Sequence, residues 1–160
     1  MPPADLLVAG LKYRGWTALA PVLGRLMVEP LMRLAGNQPA VLIPVPLDPI
    51  HHRRRGFNQA ALLATELSRA TGLPSVEALG RRSATRRQAG SGRTQRGKNV
   101  HGAFYWRSTA RVPTGNMILI DDVLTTGATA AACTIVIVEA GYDCRGVVTF
   151  ARAVQRPDEV

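Results

Sequence analysis

ILIDDVLTTGATA, residues Ile118 to Ala130, decides how this chain is read. The apolar run Met117 to Ile120 reads as a strand buried on both faces of a sheet. Two adjacent carboxylates, Asp121 and Asp122, follow it, and then comes a small hydroxyl-rich turn, Thr125, Thr126, Gly127, Ala128 and Thr129. From about Ala128 to Ala140 the spacing turns helical, and Gly141 stops the helix. Strand, acids, turn and helix in this order form half of a βαβ unit.

Upstream, AVLIPVP at Ala40 to Pro46 is a second apolar run with branched residues, and its two prolines end it. Phe57 to Ala70 has helical spacing through Ala60, Leu63, Ala64 and Leu67, closed by Gly72 and Pro74. Ala4 to Leu34 is helical in pattern but interrupted at Gly15 and Pro21, which suggests a short helix and then a longer one from about Ala18. Downstream, Gly146 to Phe150 makes another strand. Strands alternating with helices predict an α/β protein whose mainly parallel sheet has helices on both faces. With 160 residues and 46% hydrophobic content, one domain over residues 1–160 is expected, able to bury a core without disulfides or a structural metal.

Charge is distributed unevenly. Ten of the twenty Lys and Arg residues lie in Arg53 to Arg55 and Arg81 to Lys98, and neither window contains an acid. Such clusters favour polyanions, either nucleic acid or a phosphate-rich small molecule. Arg81 to Lys98 has no hydrophobic periodicity and reads as an exposed loop of a length that is usually functional or disordered. Phe104, Tyr105 and Trp106 just beyond it read as a strand. The two cysteines, Cys133 and Cys144, belong to no pair or cluster with zinc-ligand spacing. No apolar stretch approaches the roughly 20 residues that span a bilayer, and Met1 to Gly10 lacks the pattern of a signal peptide, so a cytoplasmic protein without membrane association is expected.

At the carboxyl edge of a parallel sheet, where ligands bind, Asp121 and Asp122 stand beside a turn that enters a helix. Backbone N–H groups, the helix dipole and three hydroxyls make that turn a receptor for a phosphate dianion, and Gly127 lets the backbone approach closely. Carboxylates next to a phosphate cup suit a ligand with hydroxyls at one end and a phosphate at the other, as in ribose 5-phosphate. The plainer alternative is that the two acids cap a turn and the threonines begin a helix. A Walker phosphate loop and a dinucleotide fingerprint are both excluded, since neither motif is present.

The same residues resemble the phosphoribosyl pyrophosphate signature of type I phosphoribosyltransferases. Further segments narrow the likeness: KYRG at Lys12 to Gly15, IPVPL at Ile43 to Leu47, RRRGFNQA at Arg53 to Ala60, and the spaced Arg82, Thr85, Gln88, Arg96 and Asn99. Together they are similar to the ComF family of competence-associated, phosphoribosyltransferase-like proteins, over about Leu7 to Ala153. The resemblance implies a three-layer type I phosphoribosyltransferase fold, with a small helical hood at residues 1–36 and a core at 40–154. It implies that Asp121 and Asp122 are the catalytic pair engaging the ribose hydroxyls, with or without Mg2+, and that Thr125 to Thr129 hold the 5-phosphate. Val45, Pro46 and Leu47 would lie under the pyrophosphate, with Arg53 and Arg55 nearby. The loop bearing Arg86, Arg87, Gln88, Arg93 and Arg96 would close over the leaving group. Phe57, Asn58 and Gln59 are expected to fix the loop and the helix start rather than perform chemistry, and His51, His52 and His101 to be surface residues with a minor chance of contacting pyrophosphate.

Two functions follow from the resemblance. One is transfer of phosphoribose from magnesium phosphoribosyl pyrophosphate to a nitrogen acceptor, releasing pyrophosphate. The other is a non-catalytic accessory role in competence and DNA uptake, binding single-stranded DNA or a competence helicase through the Arg-rich loop. A homo-oligomer is compatible with either. Many ComF-like proteins begin with a cysteine-rich zinc-binding segment; none is expected within these residues, so zinc-dependent behaviour does not carry over.

Overall fold

A computed structural model describes residues 10, 17–83 and 102–153. After a single 3-10 turn at Thr17–Leu19, the chain forms α1 (Ala20–Ala35), β1 (Ala40–Pro44), α2 (Pro49–Arg55), α3 (Gln59–Thr71), β2 (Leu79–Arg81), β3 (Phe104–Trp106), β4 (Asn116–Leu124), α4 (Ala128–Glu139) and β5 (Cys144–Arg152). The expected α/β class with a parallel sheet is what forms: β1, β4 and β5 lie side by side in that order, all parallel. The small sheet β2-β3 is antiparallel, a pairing the sequence pattern did not reveal.

Alternation along the strands divides the core. Leu42, Ile118, Ile120 and Val148 pack against α1 and α3, where Leu23, Met27, Leu31, Leu63 and Leu67 are buried. Val41, Ile43, Met117 and Leu119 face the other way, onto Ala132, Cys133 and Ile137 of α4 and onto Leu79 and Phe104 of the small sheet. Successive strand residues point to opposite faces, so strands this apolar need cover on both sides, and they have it. The result is three layers.

The described helix of the segment expected as a hood, Ala20–Ala35, is one of those layers. Its buried stripe Leu23, Met27, Leu31 and Ala35 repeats every four residues and lies on the sheet. At Gly24 it meets α3 so closely that a Cβ there would stand 2.8 Å from the Cβ of Glu66. A side chain at that position would force the two helices apart.

The chain order places a crevice. After β1 and α3, the segment Pro74 to Val76 returns along the outer side of β1, with Leu42 N donating to Pro74 O at 2.8 Å and Val76 N donating to Leu42 O at 2.9 Å. The next strand of that sheet, β4, enters on the opposite side of β1, and α4 then covers the opposite face from α3. The order of winding therefore reverses between β1 and β4, and the carboxyl ends of those two strands diverge into the crevice where α/β proteins bind ligands.

Candidate functional site

At that crevice β1 pairs with β4 only as far as Pro44 opposite Ile120. Val45 N still donates to Ile120 O at 2.9 Å, after which the chain turns away through Pro46 and Leu47. β4 continues, because β5 keeps pace beside it, with Asp121 opposite Thr149, Val123 opposite Ala151 and Leu124 opposite Arg152. The strand expected to end at Ile120 thus carries both carboxylates on a hydrogen-bonded backbone, which fixes their directions. Strand alternation sends Asp121 toward α4 and Asp122 toward α3. Asp122 is 7% exposed. An oxygen of Asp121, Oδ1, accepts a hydrogen bond from Asp122 N at 2.8 Å.

Around these acids lies a cleft of about 360 Å³. Its walls are Val45, Pro46 and Leu47 after β1, Asp48, His51 and Arg55 at α2, Asn58 to Ala60 at the start of α3, Arg81 from β2, Asp121 to Val123, Thr125 and Thr129. Three segments far apart in sequence and singled out from it, IPVPL, RRRGFNQA and the DDVLTTGAT stretch, therefore line one space. Within them the structure discriminates. Arg55 lines the cleft, whereas Arg53 is exposed on α2 and Thr126, Gly127 and Ala128 sit beside the cleft without lining it.

Local hydrogen bonds explain how the walls are held. Asp48 caps α2, accepting from Ile50 N at 2.9 Å, with Pro49 in the first turn. Asn58 caps α3 by accepting from Ala60 N at 3.1 Å, and its Nδ2 donates to Val45 O at 3.0 Å. One side chain thus ties the loop after β1 to the next helix, the fixing role expected of it. On the other side Gly127, at φ 79°, makes the left-handed turn into α4, and its carbonyl accepts from Ala131 N at 2.9 Å.

Arg81 belongs to β2 rather than to the exposed loop in which its sequence context placed it. Its guanidinium lies 5.2 Å from the centre of the Phe104 ring, so one cation of the basic window is fixed against the cleft wall. Beneath it Cys133 is buried in α4. Burial pushes its thiol up to about 12, the nearby Asp121 charge pushes the same way, and Arg81 opposes them. This is the small apolar residue expected of it, protonated at neutral pH. Arg86, Arg87, Gln88, Arg93 and Arg96 lie outside the described residues, as does KYRG.

Asp48 and Gln59 are wall residues that have no binding role in the sequence reading, whereas His51 has a minor chance there of touching pyrophosphate and Arg81 stands at the start of the loop expected to close over it. Gln59 stood in a recognised stretch, but nothing in a linear pattern shows that its side chain turns inward. A larger hollow of about 590 Å³ separates α4 from the small sheet, with Arg82, Tyr105, Trp106, Ile135 and Glu139 on its walls. It contains none of the acids or threonines of the signature.

Among the described residues no group of three or more His, Cys, Asp and Glu could hold a metal. Two carboxylates at the cleft suit Mg2+ carried mainly by ligand oxygens and water, which is how this ion binds beside phosphates. Also among the described residues, no helix is long and apolar enough to cross a membrane.

The fold and site define an α/β protein with a polar cleft at a topological switch point. No protein-family model matches the chain. It is 38% identical over 135 residues to DNA utilization protein YhgH of Escherichia coli O157:H7, a match covering 81% of this chain and 59% of that one. It is 32% identical over 133 residues to competence protein F of Haemophilus influenzae, covering 79% and 58%. These relatives bear out the resemblance to the ComF family, and the chain is a homologue of competence protein F and of YhgH. The matched region spans about three fifths of these curated relatives, 59% and 58%. Among solved structures, orotate phosphoribosyltransferase from Aeropyrum pernix is similar at 20% identity over 80% of this chain and 70% of that one, with a TM-score of 0.34. The fold described above rests on strand order and packing, not on that likeness.

Proposed function

We propose that the cleft binds phosphoribosyl pyrophosphate, or its ribose 5-phosphate portion. The observation that carries this reading is the convergence of Val45 to Leu47, Arg55, Asp121, Asp122, Thr125 and Thr129 on one space at the switch point. Asp121 and Asp122 accept hydrogen bonds from the ribose hydroxyls. Thr125 and Thr129, with the N-terminus of α4, hold the 5-phosphate. Arg55 and Arg81 lie on the walls where charge on a diphosphate needs neutralising. Mg2+, when bound with the ligand, shields the diphosphate and makes it a better leaving group. The transfer compatible with this arrangement moves phosphoribose to a nitrogen acceptor with release of pyrophosphate. It needs no covalent nucleophile, only positioning and charge stabilisation.

Calorimetric titration of phosphoribosyl pyrophosphate with Mg2+ into wild-type protein and into Asp121→Asn/Asp122→Asn tests the site. Binding by the wild type, lost in the double variant, is expected. Unchanged binding in the variant removes the two acids from the site. Pyrophosphate release measured over a panel of bases then separates a transferase from a binding protein.

A second reading follows from the relatives' names, DNA utilization protein and competence protein F. It assigns the acid-free basic windows to single-stranded DNA or a helicase partner. In this reading binding weakens steeply with salt, and replacing Arg86, Arg87, Arg93 and Arg96 with Ala lowers the log–log salt slope by about 3. Salt-insensitive binding removes it.

A further inference from the structure

Gln59 is the first residue of α3 and a wall of the cleft, yet it is only 2% exposed. Its Nε2 is sealed from solvent and finds no hydrogen-bond acceptor among the described residues. A buried amide nitrogen without a partner is destabilising and uncommon, so one at the wall of a ligand cleft calls for an explanation. Its immediate neighbour Asn58 is engaged at both ends, its oxygen accepting from Ala60 N and its nitrogen donating to Val45 O. Gln59 is therefore anchored through its backbone beside the loop Val45 to Leu47. The last side-chain torsion of Gln is broad and soft, so the direction of its NH2 group is the least fixed part of this otherwise buried side chain.

We infer that Gln59 is a ligand-positioning residue whose Nε2 donates a hydrogen bond to an oxygen of the diphosphate group. This rests on the reading of the cleft as a ribose-diphosphate site and deepens it. The chemistry suits the diphosphate. An amide N–H can only donate, and diphosphate oxygens can only accept. Ribose hydroxyls need acceptors for their protons, and Asp121 and Asp122 supply these. The position agrees, since Gln59 adjoins Asn58, which fastens the Val45 loop, and shares the cleft walls with Val45 to Leu47 and Arg55.

The test compares wild type, Gln59→Leu and Gln59→Met by calorimetry with three probes in the presence of Mg2+: inorganic pyrophosphate, phosphoribosyl pyrophosphate and ribose 5-phosphate. Thermal unfolding of each variant is recorded alongside. Removing the orphaned amide should leave the thermal midpoint unchanged or raised, and Met keeps the fold if the branched Leu does not fit. Affinity for the two diphosphates should fall about tenfold, the effect of one hydrogen bond to a charged group, while ribose 5-phosphate binding is unchanged. Equal losses for all three probes, or unchanged diphosphate affinity, overturn the assignment. Wild-type protein that binds pyrophosphate but neither ribose ligand, with the loss in the variants, supports Gln59 as the donor and sinks the ribose-phosphate reading alone. Wild-type protein that binds none of the three sinks both.

Discussion

The two faces of the sheet differ in how they are covered. On one, α1 and α3 present regular apolar stripes, and Leu23, Leu31, Leu63 and Leu67 have no exposed surface. On the other, α4 has the sequence ATAAACTIVIVE, apolar nearly all round, yet only Ala132, Cys133 and Ile137 are buried, while Ile135 is 40% and Val138 57% exposed. The amphipathic pair forms a deep layer. The short apolar helix forms a shallow one, and its first turn and the strand before it carry the signature residues. The cleft draws walls from both, so the deep layer steadies the start of α3 while the shallow layer supplies the threonine turn.

If this contrast is right, Leu63→Ala in the deep layer should lower stability by about 3 kcal/mol in urea denaturation, through lost burial and a cavity. A cost below about 1 kcal/mol would mean that the α1–α3 layer is not what holds the sheet.

A smaller effect should come from beneath the cleft acids. The Cys133 thiol titrates at about 12 in the folded protein against 9.0 for an unperturbed thiol. The unfolded chain therefore loses this proton first as pH rises, binding fewer protons than the folded state between these values. Cys133 thus contributes a stability term that is full below pH 9 and falls by about 1.4 kcal/mol per pH unit above it. Chemical denaturation of wild type and Cys133→Ala from pH 8 to 10.5 isolates the term, since other titrating groups act on both proteins. Parallel curves would show that the thiol is not held in a desolvated site.

The smallest effect belongs to the outer side of α4. Ile135→Ala and Val138→Ala should each stay within about 0.5 kcal/mol of wild type in the same denaturation assay. A larger loss would show that the exposed side of the shallow layer is covered in solution.

The sequence exposed most of the framework because its signals were local. The apolar runs 40–46 and 117–120, the helical spacing of 57–70 and the glycines that end helices each declared an element. The strand, acid pair and turn from Ile118 to Thr129 carried enough chemistry to mark one edge of a site. Boundaries shifted where pairing decided them. β4 runs to Leu124 and β5 spans Cys144 to Arg152, because two adjacent strands satisfy each other's backbone groups beyond the point where hydrophobic pattern stops.

By itself, then, the sequence determined the α/β class, the order of the elements other than α2 and β2, and the carboxylate–threonine turn, all properties of neighbouring residues and their spacing. The tertiary structure decided the rest. Winding that reverses at β1 set Val45 against Asp121 and Asp122. Packing placed Arg81 on a wall and left Arg53 exposed, sent the apolar α4 to one face rather than another, and buried the Gln59 amide nitrogen without a partner among the described residues. Each depends on which strand lies beside which, and that is settled by the joint burial of both sheet faces.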